Sequence, residues 1–145
     1  MGKKLLVING PNINLLGTRE PEIYGKHSLK DIEEQIKEQC RKAGFEVEFF
    51  QSNHEGEIVD KIQAAREGIG CIIINPAAFT HTSVSIRDAI SAVDIPTIEV
   101  HLSNIYGRED FRKHSYIAGV ATGQISGFGA YGYILATQAA INLLL

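Results

Sequence analysis

Only two cysteines, Cys40 and Cys71, occur in the 145 residues, and they form neither a C-x-x-C pair nor a metal-ligand spacing. A disulfide scaffold and a zinc module are therefore excluded, and a reducing cytoplasm is the expected home. No basic run stands out and the net charge is -3, so the chain lacks the cationic footprint that releases counterions from nucleic acid. Long apolar runs are missing as well. Lys3-Lys4 precedes only Leu5-Leu6-Val7-Ile8 before Asn9-Gly10-Pro11 breaks the run, which is too short for a secretory signal. Beyond Lys113 no acidic or basic side chain follows, apart from His114. There Gly119, Gly123, Gly127, Gly129 and Gly132, with Thr137, Gln138 and Asn142, interrupt any stretch of the roughly 20 apolar residues a membrane span requires. That segment reads as a buried strand and a covered helix, part of which faces another subunit. With 44% apolar and 21% charged residues, disorder and a collagenous repeat are excluded. The length suits one domain, residues 1–145, able to bury about 70% of the surface of its unfolded chain.

Short β-branched runs alternate with segments of helical period, the pattern of successive βα units. Strands are expected at residues 4–8, 45–50, 71–74, 97–100 and 116–120. The first helix opens at Ser28, with Asp31 three positions on to complete a capping box, carries Leu29, Ile32, Ile36 and Cys40 on one face, and ends at Gly44. A second helix bears Ile58, Val59, Ile62 and Ala65. The third starts near Thr82 or Ser83, a short helical piece lies at residues 108–114, and the closing helix begins near Gly129. Strands this short and apolar are covered on both faces. The expected fold is α/β: a flavodoxin-like doubly wound sheet of five parallel strands in the order 2-1-3-4-5, with helices on both faces. Ligands of such sheets sit where the winding reverses, beyond the carboxyl ends of strands one and three.

The chemistry-bearing residues cluster at those ends. After strand one, nearly twenty residues precede the next helix, where two to six are usual, so a binding loop is expected. Gly17 and Gly25 flank Arg19 and Tyr24 in it, as on a hinged flap. Asn12 and Asn75 lie across the switch point, where two amides can orient a polar small molecule, and His81 overhangs the cleft. Asn9, Asn12 and Asn75 are not carboxylates, so a receiver-type divalent-cation site has no seat. No phosphate-cradling glycine loop follows a strand, which argues against a nucleotide or flavin cofactor. Glu99 and His101 stand two apart on one strand, on the same face, so the carboxylate can fix the imidazole's tautomer and favour its protonated form. Leu102 and Ser103 follow where a short helix begins, their N–H groups free for an anion, with Arg108 and Arg112 nearby. A cleft of this kind suits a carboxylate substrate.

No nucleophile elbow is present and neither cysteine falls at a strand end, which leaves acid–base chemistry. A tyrosine acts as a base only as tyrosinate, and lowering its pKa from about 10 to about 7 takes roughly 4 kcal/mol, which a guanidinium held close in a water-poor site can largely provide. Such a base with a separate histidine acid describes proton abstraction beside a carbonyl followed by loss of a leaving group. A non-catalytic flavodoxin-like module that binds a small anion is the alternative reading.

Three stretches, Asn9-Gly10-Pro11-Asn12-Ile13-Asn14-Leu15-Leu16-Gly17-Thr18-Arg19-Glu20 through Tyr24-Gly25, Asn75-Pro76-Ala77-Ala78-Phe79-Thr80-His81-Thr82-Ser83-Val84 and Glu99-Val100-His101-Leu102-Ser103-Asn104, resemble the type II 3-dehydroquinate dehydratases. The resemblance covers essentially the whole chain. It implies conversion of 3-dehydroquinate to 3-dehydroshikimate and water in the shikimate route to aromatic amino acids, with no cofactor, metal or Schiff base. It makes Tyr24 the base, Arg19 its activator, His101 the acid and Glu99 the group that orients it. It also implies that Asn12 holds a water that stabilises the enolate, that Asn75, His81 and Arg112 bind substrate hydroxyls, and that Leu102 and Ser103 hold the carboxylate. Asp88 would reach a neighbouring subunit's site in a homododecamer, a tetramer of trimers. Phe79 stands where the family often has Tyr, and Tyr106-Gly107 where it frequently has His-Ala; both bear on affinity and subunit contacts more than on the reaction.

Overall fold

The Leu5–Ile8 and Cys71–Ile74 runs have no polar face, so each forms a strand only if apolar layers cover both sides of it. The computed structural model, which describes residues 3–18, 22 and 27–145, shows how they are covered. Five strands, β1 (Lys4–Asn9), β2 (Glu46–Gln51), β3 (Cys71–Asn75), β4 (Thr97–His101) and β5 (Gly123–Ser126), form a parallel sheet in the order β2-β1-β3-β4-β5. Successive residues point to opposite faces. Leu5, Val7, Cys71 and Ile73 enter a core shared with helices α1 (Leu29–Ala43) and α4 (Tyr131–Leu144). Leu6, Ile8, Ile72 and Ile74 enter a second core under α2 (Glu55–Ala64) and α3 (Val84–Val93). The helices thus change face between β1 and β3, as the expected winding requires.

Local chemistry sets the helix ends. Ser28 accepts the Asp31 N–H while Asp31 accepts the Ser28 N–H, each at 3.1 Å. At the other end of α1 the Gly44 N–H reaches the Arg41 carbonyl at 3.1 Å and the Phe45 N–H reaches Cys40 at 2.9 Å. That pairing is a Schellman motif, and it needs the left-handed backbone that Gly44 adopts at φ 79°. Ser83 caps α3 by accepting the Ile86 N–H at 2.9 Å.

The fifth strand is not at residues 116–120, where β-branched content suggested it. That segment is a run of turns: the Val120 and Ala121 N–H groups both bond the Ile117 carbonyl at 3.0 Å, and Ser115 Oγ accepts the Ile117 and Ala118 N–H groups at 3.1 and 3.0 Å. With its polar backbone satisfied locally, the segment buries Ile117 completely in the second core. The chain then enters the sheet at the Thr122 N–H, which bonds the Thr97 carbonyl at 2.7 Å. The short helical piece expected at residues 108–114 is present as a 3-10 turn, Asp110–Arg112, and a second such turn, Ile105–Gly107, precedes it. Among the described residues no helix is long and apolar enough to cross a membrane.

Candidate active site

The carboxyl ends of β1, β3 and β4 open into a cleft of about 170 Å³. Its wall brings together Asn12, Asn75, His81, His101, Leu102, Ser103 and Arg112, with Arg108 beside them. Glu99 lies behind His101, completely buried. Asp88 is exposed on α3 and does not line the cleft. Arg19 and Tyr24 lie outside the described residues.

Glu99 and His101 face the same side of β4, and His101 Nε2 approaches Glu99 Oε2 to 2.5 Å. Thr80 and Ser115, which sequence reasoning passed over, complete the carboxylate's surroundings. Thr80 Oγ1 donates to Oε2 at 2.5 Å, and Ser115 Oγ lies 2.8 Å from Oε2 and 3.1 Å from Oε1. Burial pushes the Glu99 carboxyl up, but the bonds from His101, Thr80 and Ser115 and the His101 charge outweigh it and hold the group below the ordinary carboxylate value. An ionised carboxylate on one ring nitrogen leaves the imidazole able to pass a proton at its other nitrogen.

His81 is held differently. Its Nδ1 lies 2.7 Å from the His114 carbonyl. A carbonyl only accepts, so Nδ1 carries the proton and neutral His81 keeps Nε2 as an acceptor. Burial holds its pKa below the ordinary histidine value, against the raising effect of the His114 bond, and the charges of His101 and Arg112 act the same way as burial. Histidine and guanidinium here are separate devices: Arg112 Nε bonds Glu109 Oε2 at 3.2 Å, and Arg108 Nε stands 3.7 Å from Glu109 Oε1. Glu109 thereby fixes both arginines at the cleft rim, a role the sequence pattern did not reveal.

The direction of the Leu102 and Ser103 N–H groups follows from peptide geometry. The His101 carbonyl accepts the Gly127 N–H at 3.2 Å and the Leu102 carbonyl accepts the Gly129 N–H at 2.9 Å. In a trans peptide the N–H points opposite to the C=O, so the Leu102 and Ser103 N–H groups both turn away from that loop. Two N–H groups with one direction can receive an anion.

On the β1 side, Asn12 has a left-handed backbone at φ 70°, and its N–H donates to Asn53 Oδ1 at 3.0 Å. Ala77 is also left-handed, at φ 53°. Both line the cleft, whereas the third left-handed non-glycine residue, Asp94 at φ 55°, ends α3 away from it. Gly10 allows the two loops to meet: a Cβ there would lie 2.5 Å from the Pro76 carbonyl oxygen. Asn9 pairs with Asn75 in register, and between their side chains stands the hydroxyl of Tyr133 from α4, 2.6 Å from Asn9 Oδ1 and 2.8 Å from Asn75 Nδ2. No local pattern marks Tyr133 as this anchor, since Tyr131 two residues earlier on the same helix is exposed. Phe79 packs against the second core, and the Tyr106 hydroxyl donates to Gln124 Oε1 at 2.9 Å on the surface. Among the described residues no group of three or more His, Cys, Asp or Glu side chains could hold a metal ion.

Residues 3–141 match the family described as dehydroquinase class II. The chain is 60% identical to a 3-dehydroquinate dehydratase of Caldicellulosiruptor bescii over 143 residues, which cover 98% of this chain and 99% of the relative. It is 58% identical over 142 residues to one of Endomicrobium trichonymphae, with 98% and 99% covered. A crystal structure of a type II dehydroquinase from Butyrivibrio crossotus superposes with a TM-score of 0.94 at 50% identity, covering 96% of this chain and 97% of that one.

Proposed function

The chain belongs to the class II dehydroquinase family, with the activity of a 3-dehydroquinate dehydratase, a hydro-lyase, and on that premise we propose how its residues divide the reaction. The observation that carries this reading is the 2.5 Å contact between buried Glu99 and His101 on the cleft wall. Tyr24, as tyrosinate beside Arg19, removes the proton alpha to the ketone and leaves an enolate. Asn12 holds the water that stabilises the enolate oxygen. His101, oriented by Glu99, protonates the beta hydroxyl as it departs, so that the carbon–oxygen bond breaks while the enolate collapses to the conjugated enone and water leaves. Asn75, neutral His81 and Arg112 bind substrate hydroxyls, and the Leu102 and Ser103 N–H groups take the carboxylate.

Three further readings belong with this one. Residues 1–145 act as one catalytic domain. The pathway is the shikimate route to aromatic amino acids, in the cytoplasm. The subunits form a dodecamer of four trimers in which Asp88 of one subunit serves its neighbour's site. Exposed Phe128, Tyr131 and Leu143, on or beside α4, support burial of that region against another copy. Nothing favours the non-catalytic anion-binding module.

Elimination creates a conjugated enone, so mixing the protein with 3-dehydroquinate should raise ultraviolet absorbance. Tyr24→Phe should abolish that rise while largely preserving substrate binding. A nearly fully active Tyr24→Phe enzyme would refute the assignment of the base, and no turnover by the native enzyme at any pH would refute the reaction.

A further inference from the structure

Tyr133 is completely buried in the first turn of α4, yet its hydroxyl reaches the carboxyl ends of β1 and β3. Each contact there has one possible sense. The hydroxyl has a single proton, which goes to Asn9 Oδ1 at 2.6 Å, so at Asn75 it accepts from Nδ2 at 2.8 Å. Asn75 Oδ1 in turn accepts the Ala77 N–H at 3.1 Å. Turning the Asn75 carboxamide over would set its oxygen against a hydroxyl with no proton to give and its NH2 against the Ala77 N–H. The first mismatch would be fully buried and the second half-buried, where unpaired polar groups are unfavourable. The amide is therefore locked one way round. One of its two N–H groups is used by Tyr133, the other remains, and Asn75 lines the cleft.

We propose that Tyr133 is a positioning residue for the reaction: by fixing the Asn75 carboxamide it presents one Asn75 N–H to a substrate hydroxyl and holds Ala77 in its left-handed backbone at the cleft wall. The inference rests on the reading above that Asn75 binds substrate. Burial raises the phenol's pKa far above its ordinary value, so Tyr133 stays protonated in the working range and its hydrogen-bond sense does not change. It cannot substitute for Tyr24 as a base.

Tyr133→Phe keeps the ring and removes only the hydroxyl. Because Asn75 would contact the substrate in ground and transition states alike, KM should rise about tenfold, the equivalent of one hydrogen bond, with kcat changed by less than about threefold. In an Asn75→Ala background the same change should alter KM by less than about twofold, since the hydroxyl has nothing left to position. A lowered melting temperature with unchanged KM would make Tyr133 a structural residue only and overturn the proposal. Effects that multiply in the double variant would overturn it too, as would an Asn75→Ala enzyme with unaltered KM. If Tyr133→Phe does not fold, proton NMR of the native enzyme decides: a slowly exchanging phenolic hydroxyl with cross-peaks to an asparagine NH2 supports the clamp, and its absence overturns it. Loss of the clamp with dehydroquinate turnover intact leaves the reaction assignment standing, whereas a native enzyme without turnover removes both.

Discussion

Glu99 has no exposed surface, and the stability of its charge depends on donors from three different parts of the chain: His101 on its own strand, Thr80 after β3 and Ser115 after the 3-10 turns. Thr80 also accepts the Tyr116 N–H at its carbonyl, at 2.8 Å, so the residues that hold Glu99 are themselves tied together. Ser115→Ala removes a donor from the buried carboxylate and a cap from two backbone N–H groups. Leaving a buried charge short of one partner costs about 1–3 kcal/mol. If Glu99 orients His101, kcat should fall roughly tenfold with KM little changed, and Ser115→Thr should restore most of it. Steady-state kinetics on both variants checks this, and an unchanged kcat in Ser115→Ala would show that Thr80 and His101 suffice. Glu99, His101 and the cleft amides were legible in the sequence because a period of two or a strand end locates them. Thr80 and Ser115 were not, because nothing local distinguishes a serine that bonds a carboxylate sixteen residues away from one that faces solvent.

Among the elements, β1 and β3 were readable as unbroken apolar runs, β4 as a β-branched run after Pro96, and α1 as an amphipathic helix with a capping box at one end and glycine at the other. The fifth strand was not. Tyr116-Ile117-Ala118-Gly119-Val120 has a more strand-like composition than Gly123-Gln124-Ile125-Ser126, and β-propensity mostly records how well a side chain fits a half-buried surface. Here the register with β4 decided, pairing Ile98 with Gly123 and His101 with Ser126. The earlier segment instead folds over α3, where Arg87 Nη1 donates to the Tyr116 carbonyl at 2.7 Å. Ile117 is fully buried although it lies in a turn. Ile117→Ala should therefore destabilise the protein by about 2–5 kcal/mol, the range for truncating a core isoleucine. Urea denaturation measures it; a loss under about 0.5 kcal/mol, the level of a surface substitution, would contradict the packing.

For the molecule as a whole, the groups whose pKa the fold shifts define a pH window of stability. His81 has a depressed pKa, so the unfolded chain takes up a proton that the folded one refuses as pH falls below about 6.5, and stability drops. Glu99, also depressed, adds stability above about 4.3 that is lost as pH falls through its lower folded value. On the other side burial pushes the Cys40 thiol up to about 11 and the Cys71 thiol up to about 12. Both stay protonated in the fold, so their contribution is complete below about 8.5 and declines as the unfolded thiols ionise above it. Urea midpoints measured across pH should form a plateau between about 6.5 and 8.5 and fall on both sides. A midpoint that rises on acidification from pH 6.5 would refute the sign assigned to His81.

The sequence by itself determined the α/β class, the order of the strands, the capped first helix and the position of the cleft, because each depends on short-range periodicity, on capping chemistry or on the winding rule. Only the tertiary structure decided where the sheet ends, which hydroxyls keep Glu99 ionised, and that a phenol from the last helix locks an amide at the end of the third strand. Those contacts join residues 16 to 58 positions apart, and a hydrogen bond across such a separation leaves no pattern in the chain because its geometry exists only once the layers have packed.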